Sequence, residues 1–208
     1  MTDLHVVRKY VEDAVEERPE IALARRHSLE AGIEPVSPAV GAQLAQLAAA
    51  IRAEHIIEIG TGLGVSALWL LTGAPEASIT SIDIEVEYQQ SARDSLALAG
   101  IPASRARLIA GRAADVLPRL NDGSYDLVLV DADPRSVREY VEHGLRIVRS
   151  GGTVAVARAL WHGRVADPTV RDETTTAFRE LIAAAYAIDD VVAALSPIGD
   201  GLLLLTKR

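Results

Sequence analysis

From residue 55 onward, short apolar runs alternate with longer segments of helical length. Strands of the buried type are predicted at HIIEIG (55–60), SITSIDI (78–84), ARLIAG (106–111), YDLVLVDA (125–132) and GTVAVARAL (152–160). Helices are predicted at VSALWLLTG (65–73), EYQQSARDSLALAG (87–100), AADVLPRL (113–120), VREYVEHGLRIV (137–148) and DETTTAFRELIAAAYA (172–187). Strands that alternate with helices predict an α/β fold whose parallel sheet is covered on both faces.

The two ends of the chain depart from this alternation. At the C-terminus, VVAALSPI (191–198) and LLLLTK (202–207) flank Gly199-Asp200-Gly201, which predicts an antiparallel hairpin and brings the sheet to seven strands. The N-terminal third is predicted to be helical, since Leu4, Val7, Tyr10 or Val11, and Ala14 recur at helical spacing. A further helix is predicted over 38–53, with Ser37 as its N-cap and Pro38 at its first position.

Composition narrows the class of protein. With 208 residues, 49% hydrophobic and 24% charged, the chain suits one globular domain. The absence of cysteine excludes disulfides and thiolate chemistry, and a net charge of −8 argues against a nucleic-acid partner. No apolar run reaches the length of a membrane span, and acidic residues stand where a signal peptide would have its basic start. We expect a cytoplasmic protein with no membrane partner.

The segment EIGTGLGVS (58–66) joins the first strand to a helix. Gly60, Gly62 and Gly64 allow a sharp turn and a close approach of the backbone to a ligand. The spacing lacks the two-residue gap of a dinucleotide fingerprint, and Glu58 suits a cationic amino group better than a pyrophosphate. The alternative is a tight turn without a ligand.

Carboxylates end two further strands. Asp83 can accept both hydroxyls of a ribose, or it can cap the helix that follows. Asp131 and Asp133 in VDADP can bind a metal, position a substrate or pair with a cation. The segment GRAAD, which contains Ala113, lies where an adenine would lie in an α/β sheet.

The fifth strand ends in an arginine. In VAVARALWHGRV (154–165), Arg158 directly follows four small apolar residues, and a charge there needs a partner.

Taken together, these motifs resemble the class I S-adenosylmethionine-dependent methyltransferases, and among them the catechol and caffeoyl-CoA O-methyltransferase family. The matching stretches are VSPAVGAQLAQLA, IIEIGTGLGVSALWL, ITSIDIE, GRAADVLPRL, YDLVLVDAD, LRIVRSGGTVAV, LWHGRVADP and PIGDGLLLLTKR. The resemblance implies a Rossmann-like, doubly wound sheet in one methyltransferase domain over 1–208. Residues 1–53 would form a helical lid or dimerisation segment, and 54–208 the cofactor-binding core.

The resemblance also implies roles for single residues. Glu58, Gly60 and Gly64 would line the methionine part of S-adenosylmethionine, with Gly62 in the same loop and Ser66 near its carboxylate. Further implied cofactor contacts are Asp83 at the ribose, Ala113 at the adenine, Val36 in the segment that folds over the cofactor, and Asp131. A small-molecule acceptor and a homodimer are implied as partners.

The sequence departs from the family at the metal site. Asp131 matches the first metal ligand, but Ala157 and Arg158 stand where the family has an Asp-Asn pair, and Pro134 replaces a lysine. We therefore expect no tightly bound metal. The candidate catalytic residues are Asp131, Arg158 and His162: Arg158 would stabilise a phenolate or bind an acceptor carboxylate, and His162 would act as the base.

Each of these roles has an alternative. Arg158 and Asp131 can form an ion pair with a structural role alone, His162 can be an ordinary loop histidine, and Trp161 suits packing better than substrate stacking. The favoured function is an O-methyltransferase acting on a small hydroxylated, aromatic acceptor. The alternatives are a protein that binds S-adenosylmethionine without transfer, and a nicotinamide dehydrogenase, which the glycine spacing and the terminal hairpin disfavour.

Overall fold

The computed structural model describes residues 4–208, with Leu4 described in its backbone alone. The predicted contribution of the Leu4 side chain to the first helix therefore lies outside the described part. Within residues 4–208, seven strands form one sheet in the order β3-β2-β1-β4-β5-β7-β6. Their bounds are β1 His55–Ile59, β2 Ser78–Asp83, β3 Ala106–Ala110, β4 Tyr125–Val130, β5 Val148–Ala157, β6 Val191–Ser196 and β7 Leu202–Lys207.

The sheet is parallel except at β7, which runs antiparallel to both of its neighbours. The C-terminal hairpin and the doubly wound α/β fold are therefore confirmed. The strand order reverses between β1 and β4, and in open α/β sheets ligands bind at the carboxyl ends of the strands at such a switch point.

In the described part of the chain, eight α-helices cover the sheet and extend from it. Their bounds are α1 Leu4–Asp13, α2 Pro19–Glu30, α3 Pro38–Ala50, α4 Val65–Gly73, α5 Val86–Leu98, α6 Ala113–Val116, α7 Val137–Ile147 and α8 Glu173–Ala187. As predicted, α3 starts after Ser37, whose hydroxyl accepts the Val40 N–H at 3.3 Å. The helix predicted over 113–120 is shorter, because a 3-10 turn that contains Pro118 replaces its second half.

Both faces of the sheet are buried, as the near-continuous apolar strands require. Ile56 and Ile57 are adjacent in β1 and both fully buried, yet they belong to different cores. Ile56 packs with the α3 and α4 side, which includes Leu44 and Leu70, whereas Ile57 packs on the side of Phe178 in α8. Within residues 4–208, no helix is both long enough and apolar enough to cross a bilayer.

Both bounds of the fifth strand need correction, since it was predicted over 152–160 and β5 begins at Val148. The prediction continued the fifth strand to Leu160, but β5 ends at Ala157. Arg158 has φ +56°, which lies outside the extended region, so the chain leaves the sheet there. Arg158 therefore stands in the first position after the strand, at the edge of the sheet.

Candidate functional site

A cleft of about 770 Å³ opens at the carboxyl ends of β1, β2 and β4. The glycine loop, the start of α6 and the segments that follow β2, β4 and β5 form its walls, and residues 33–36 cross it from the N-terminal side. Nearly all of the residues predicted to bind a cofactor line this cleft: Val36, Gly60, Gly62, Ser66, Asp83, Ala113 and Asp131. Arg158, Trp161 and His162 line it as well.

The glycine loop takes a shape that requires glycine. Gly60, Gly62 and Gly64 have φ values of +97°, +48° and +91°, all in the left-handed region. A Cβ atom on Gly60 would lie 2.0 Å from the carbonyl oxygen of Asp131, so β4 leaves no room for a side chain. Gly64 is the residue before α4 and does not line the cleft, whereas Val65 and Ser66 in the first turn of that helix do.

The Asp83 carboxylate ties the loop to β2. Its Oδ2 accepts the Gly62 N–H at 2.9 Å, and its Oδ1 accepts the Glu85 N–H at 3.0 Å. The second bond joins Asp83 to the residue before α5, but Glu85 is itself the N-cap of that helix and no side chain caps it, so the predicted capping role of Asp83 is not observed. Each carboxylate oxygen can accept a further bond, and the ribose contact stays a prediction.

Glu58 lies behind the cleft wall rather than in it. Its carboxylate is fully buried and accepts the hydroxyls of Ser66 and Ser81, each at 2.5 Å. Burial raises the pKa of Glu58 to about 7, although the two hydroxyl bonds act in the opposite direction. Ser66, one of the two hydroxyl donors, lines the cleft, whereas Glu58 does not. A direct contact between Glu58 and a cofactor therefore stays a prediction.

Sequence analysis missed the polar groups that hold Glu58. Ser81 also contacts Thr61 at 2.6 Å, and Gln89 donates to Thr61 at 2.9 Å and to the Ile109 carbonyl at 3.1 Å. These side chains come from β2, the glycine loop and α5. A polar residue at an apolar position of α5, such as Gln89, was the available signal, because buried polar groups need partners.

Residues 33–36, which line the cleft, are bonded to a half-buried arginine. Arg25 in α2 donates to the Val36 carbonyl at 2.7 Å and binds both carboxylate oxygens of Glu17. On the far side of this segment, the Glu12 carboxylate accepts the Ser37 hydroxyl at 2.7 Å and the Ala39 N–H at 2.9 Å. The segment predicted to fold over the cofactor is thus bound by two charged side chains of the N-terminal helices.

Arg158 pairs with Asp131 at the edge of the cleft. Its Nε lies 2.8 Å from Asp131 Oδ1, and the side chains are 22% and 14% exposed. A second nitrogen of Arg158 donates to the Glu34 carbonyl, and a third lies 3.5 Å from the Glu34 carboxylate. Burial raises the pKa of Asp131 above its ordinary value, and the Arg158 guanidinium opposes that rise. The ion pair considered as an alternative is therefore present.

This arrangement does not fit a divalent metal. One Asp131 oxygen is bonded to a guanidinium, and Asp133 pairs with Arg135 at 3.1 Å. Residues 4–208 contain no group of three or more His, Cys, Asp or Glu side chains placed to share an ion. Mg²⁺ needs several oxygen ligands, whereas a permanent cation stands beside the single matching carboxylate.

Trp161 and His162 follow Arg158 at the mouth of the cleft. Trp161 stacks on Phe178 with ring centres 5.5 Å apart and an interplanar angle of 23°, so its packing role is observed. The His162 ring lies 5.2 Å from the Trp161 ring and its side chain is 58% exposed. His162 is therefore accessible to a ligand in the cleft.

The fold and cleft are those of a Rossmann-like protein with its candidate ligand site at the switch point of the sheet. The O-methyltransferase family model matches residues 15–208. A relative from Mycobacterium marinum, classed by its name with the O-methyltransferases, is 45% identical over 199 residues, which cover 95% of this chain and 89% of that protein. The chain belongs to the O-methyltransferase family.

Solved structures agree with this assignment. A Corynebacterium glutamicum protein superposes with a TM-score of 0.90 at 32% identity, covering 98% of this chain and 96% of that one. The O-methyltransferase TomG from Streptomyces achromogenes, solved with S-adenosylmethionine and involved in tomaymycin synthesis, superposes with a TM-score of 0.87 at 29% identity over both full chains. The predicted family, fold and enzyme class are confirmed.

Proposed function

We propose that the protein transfers a methyl group from S-adenosylmethionine to a hydroxyl of a small aromatic acceptor, without a tightly bound metal. The observation that carries the proposal is the Arg158 guanidinium on Asp131, at the edge of the cleft that most of the predicted cofactor residues line. A fixed positive charge stands where the related enzymes are expected to hold a metal.

The chain's residues fit the proposed cofactor. Gly60 lines the cleft without a side chain, and the Asp83 carboxylate can accept ribose hydroxyls. Ser66 and Gly64 would hold the methionine end, with the Glu58 carboxyl group behind Ser66. Ala113 would lie against the adenine, and Val36 would cover the cofactor. When bound, S-adenosylmethionine supplies an activated, electrophilic methyl group.

The acceptor would lie in a second cavity of about 400 Å³ beside the cleft. The two spaces share five lining residues: Glu34, Pro35, Val36, Arg158 and His162. A molecule in the second cavity would therefore face the methyl end of a cofactor bound in the cleft. This volume suits one or two rings rather than a macromolecule. The walls would align the acceptor oxygen and exclude water, which supplies much of the rate enhancement in such reactions.

The acceptor proton is assigned to His162. A phenol with a pKa near ~10 holds its proton at neutral pH, and an imidazole is the side chain suited to remove it. Arg158 stays protonated and cannot be the base, but its charge would stabilise the developing phenolate. Asp131 would keep the guanidinium in place through its 2.8 Å contact.

Transfer from radiolabelled S-adenosylmethionine to catechol, 3,4-dihydroxybenzoate and related phenols tests the proposal. We expect turnover that is unchanged by EDTA and falls by about 100-fold in Arg158→Met, because an electrostatic donor in an active site contributes this much. Activity that EDTA abolishes and Mg²⁺ restores would overturn the metal-free part. Cofactor binding with no turnover on any acceptor would favour a binding protein instead.

The proposal extends to a homodimer formed by the 1–53 segment. On α1, Val6, Val7, Tyr10 and Val11 expose between 41% and 74% of their surfaces, an apolar face that suits a partner copy. Light scattering that shows a monomer at micromolar concentration would overturn this part. A cytoplasmic location is supported by the absence of cysteine in all 208 residues.

A further inference from the structure

The segment that follows β5 is held in an unfavourable backbone conformation. Arg158, Trp161 and His162 have φ values of +56°, +47° and +56°, although none of them is glycine. Left-handed conformations of such residues cost on the order of 1 kcal/mol each, and they persist only where the surroundings enforce them. Two of these residues are candidate catalytic groups, so the question is what enforces the conformation.

The turn of the C-terminal hairpin holds this segment. The Ala159 N–H donates to the Gly201 carbonyl at 3.0 Å, and the Leu160 N–H donates to the Asp200 carbonyl at 2.9 Å. A Cβ atom on Gly201 would lie 2.7 Å from the Leu160 nitrogen, so this close approach requires glycine. The Gly199-Asp200-Gly201 turn therefore serves as a rigid support for the segment that carries His162.

The Asp200 carboxylate is bonded to the backbone of His162 and lies beside its ring, beyond hydrogen-bond distance. Its Oδ2 accepts the His162 backbone N–H at 2.7 Å and lies 3.7 Å from Nδ1 of the imidazole. The Asp200 side chain is 24% exposed, which makes this carboxylate the more buried partner of the two. With Nδ1 on the side of the carboxylate, Nε2 is the ring nitrogen that remains for a ligand.

We propose that Asp200 is a positioning residue that orients His162 as the base for methyl transfer. This role rests on the proposed function, whose proton transfer it assigns to an Asp–His pair. The proton passes from the acceptor oxygen to Nε2, and the oxygen forms its bond to the methyl carbon. The sulfur keeps the electron pair of the broken carbon–sulfur bond. The Asp200 carboxylate then stabilises the imidazolium, as a carboxylate does in other paired sites.

Asp200 has a second electrostatic neighbour, Arg158, and the test must separate its effect there from its effect on His162. Its charge also acts on Arg158, whose guanidinium it helps to keep protonated. A loss of activity on removing the Asp200 charge would therefore not by itself identify His162 as the group through which Asp200 acts.

A double-mutant cycle with Asp200→Asn and His162→Gln makes the distinction. Asn keeps an oxygen for the backbone N–H but removes the charge. On the phenol that turns over fastest, we expect Asp200→Asn to lower kcat about tenfold and His162→Gln about 100-fold. Adding Asp200→Asn to His162→Gln should change kcat by less than about twofold.

Cofactor affinity from calorimetry should stay within about twofold of the unmodified protein in each variant. Asp189→Asn, at the exposed other end of the hairpin, is the matched control and should leave kcat unchanged. An equal loss of kcat from Asp200→Asn in both backgrounds, or no loss in either, overturns the proposal.

A second measurement needs no acceptor. Diethyl pyrocarbonate modifies neutral, accessible imidazoles, and mass spectrometry can follow His162 alone at pH 8 in the S-adenosylhomocysteine complex. We expect the rate of His162 modification to be at least about threefold lower in Asp200→Asn and unchanged in Asp189→Asn. Equal rates in all three proteins would overturn the inference. A failure to find any acceptor would count against the proposed function and would leave this result to decide the Asp200–His162 relationship.

Discussion

Arg158 and Asp131, which directly follow two neighbouring strands, are joined by a 2.8 Å contact between Nε and Oδ1. The pairing register sets this contact, since Val130 in β4 lies opposite Val156 in β5 and the two charged residues follow within two positions. The strand ends of the sheet therefore present a charge pair directly to the cleft.

Breaking this pair from one side should destabilise the protein more than removing both charges. Arg158→Met leaves Asp131 without its cation, and we expect a loss of about 2 kcal/mol in the free energy of unfolding, discounted for partial exposure. The double variant with Asp131→Asn should recover about half of that loss. Urea denaturation measures both values, and a double variant less stable than Arg158→Met would contradict the expectation.

Gly60→Ala should disrupt the cofactor cleft. The new Cβ atom would lie 2.0 Å from the Asp131 carbonyl, so the loop or β4 must shift. We expect at least about a tenfold loss of S-adenosylmethionine affinity by calorimetry, together with a lower Tm. Gly32→Ala is the matched control, because Gly32 also has a positive φ, +74°, but has no atom within 4 Å of the new carbon. Gly32→Ala should lower the free energy of unfolding by about 1 kcal/mol and leave the affinity for S-adenosylmethionine unchanged.

Glu58 should make stability fall as pH rises. Its pKa is raised from 4.5 in the unfolded chain to about 7 in the fold, so the folded state binds more protons between these values. The contribution of Glu58 is fully present below pH 4.5 and is lost as pH rises through about 7, a change of about 3 kcal/mol. Glu58→Gln should remove this slope. Parallel stability curves for the two proteins, from urea titrations between pH 5 and 8, would contradict the assignment.

Arg25→Met should loosen the segment that covers the cleft. The variant loses the bond to the Val36 carbonyl and leaves Glu17 without its bidentate partner. We expect about a fivefold weaker cofactor affinity and a loss of about 2 kcal/mol in stability. Arg26→Met, at the exposed next position of α2, should leave both unchanged. Equal effects of the two substitutions would show that Arg25 has no special role.

The parts of the site that sequence could predict are those fixed by local chain geometry. A strand, a glycine loop and a helix in succession place Gly60 and Asp83 at the switch point of the sheet, because parallel strands end at one edge. The same reasoning anticipated the meeting of Asp131 and Arg158, since the strands that precede them were predicted and these strands pair in the sheet.

The remaining contacts depend on distant parts of the chain. Gln89 reaches Thr61 across 28 positions and Glu12 reaches Ala39 across 27, and no periodicity specifies such partners. The left-handed conformation of His162 could not be predicted either, because histidine does not favour it and the enforcing turn lies 38 positions away. Such contacts arise only once the tertiary packing has formed.

The guanidinium on Asp131 has a consequence for where the enzyme can work. A charge that belongs to the polypeptide is present as soon as the chain folds, whereas a bound ion must be acquired and can be exchanged for a wrong one. On the proposed mechanism, synthesis of the protein is sufficient to equip its active site. Its turnover would then be insensitive to shortage, excess or competition among divalent ions in its surroundings, and would follow the supply of methyl donor and acceptor alone.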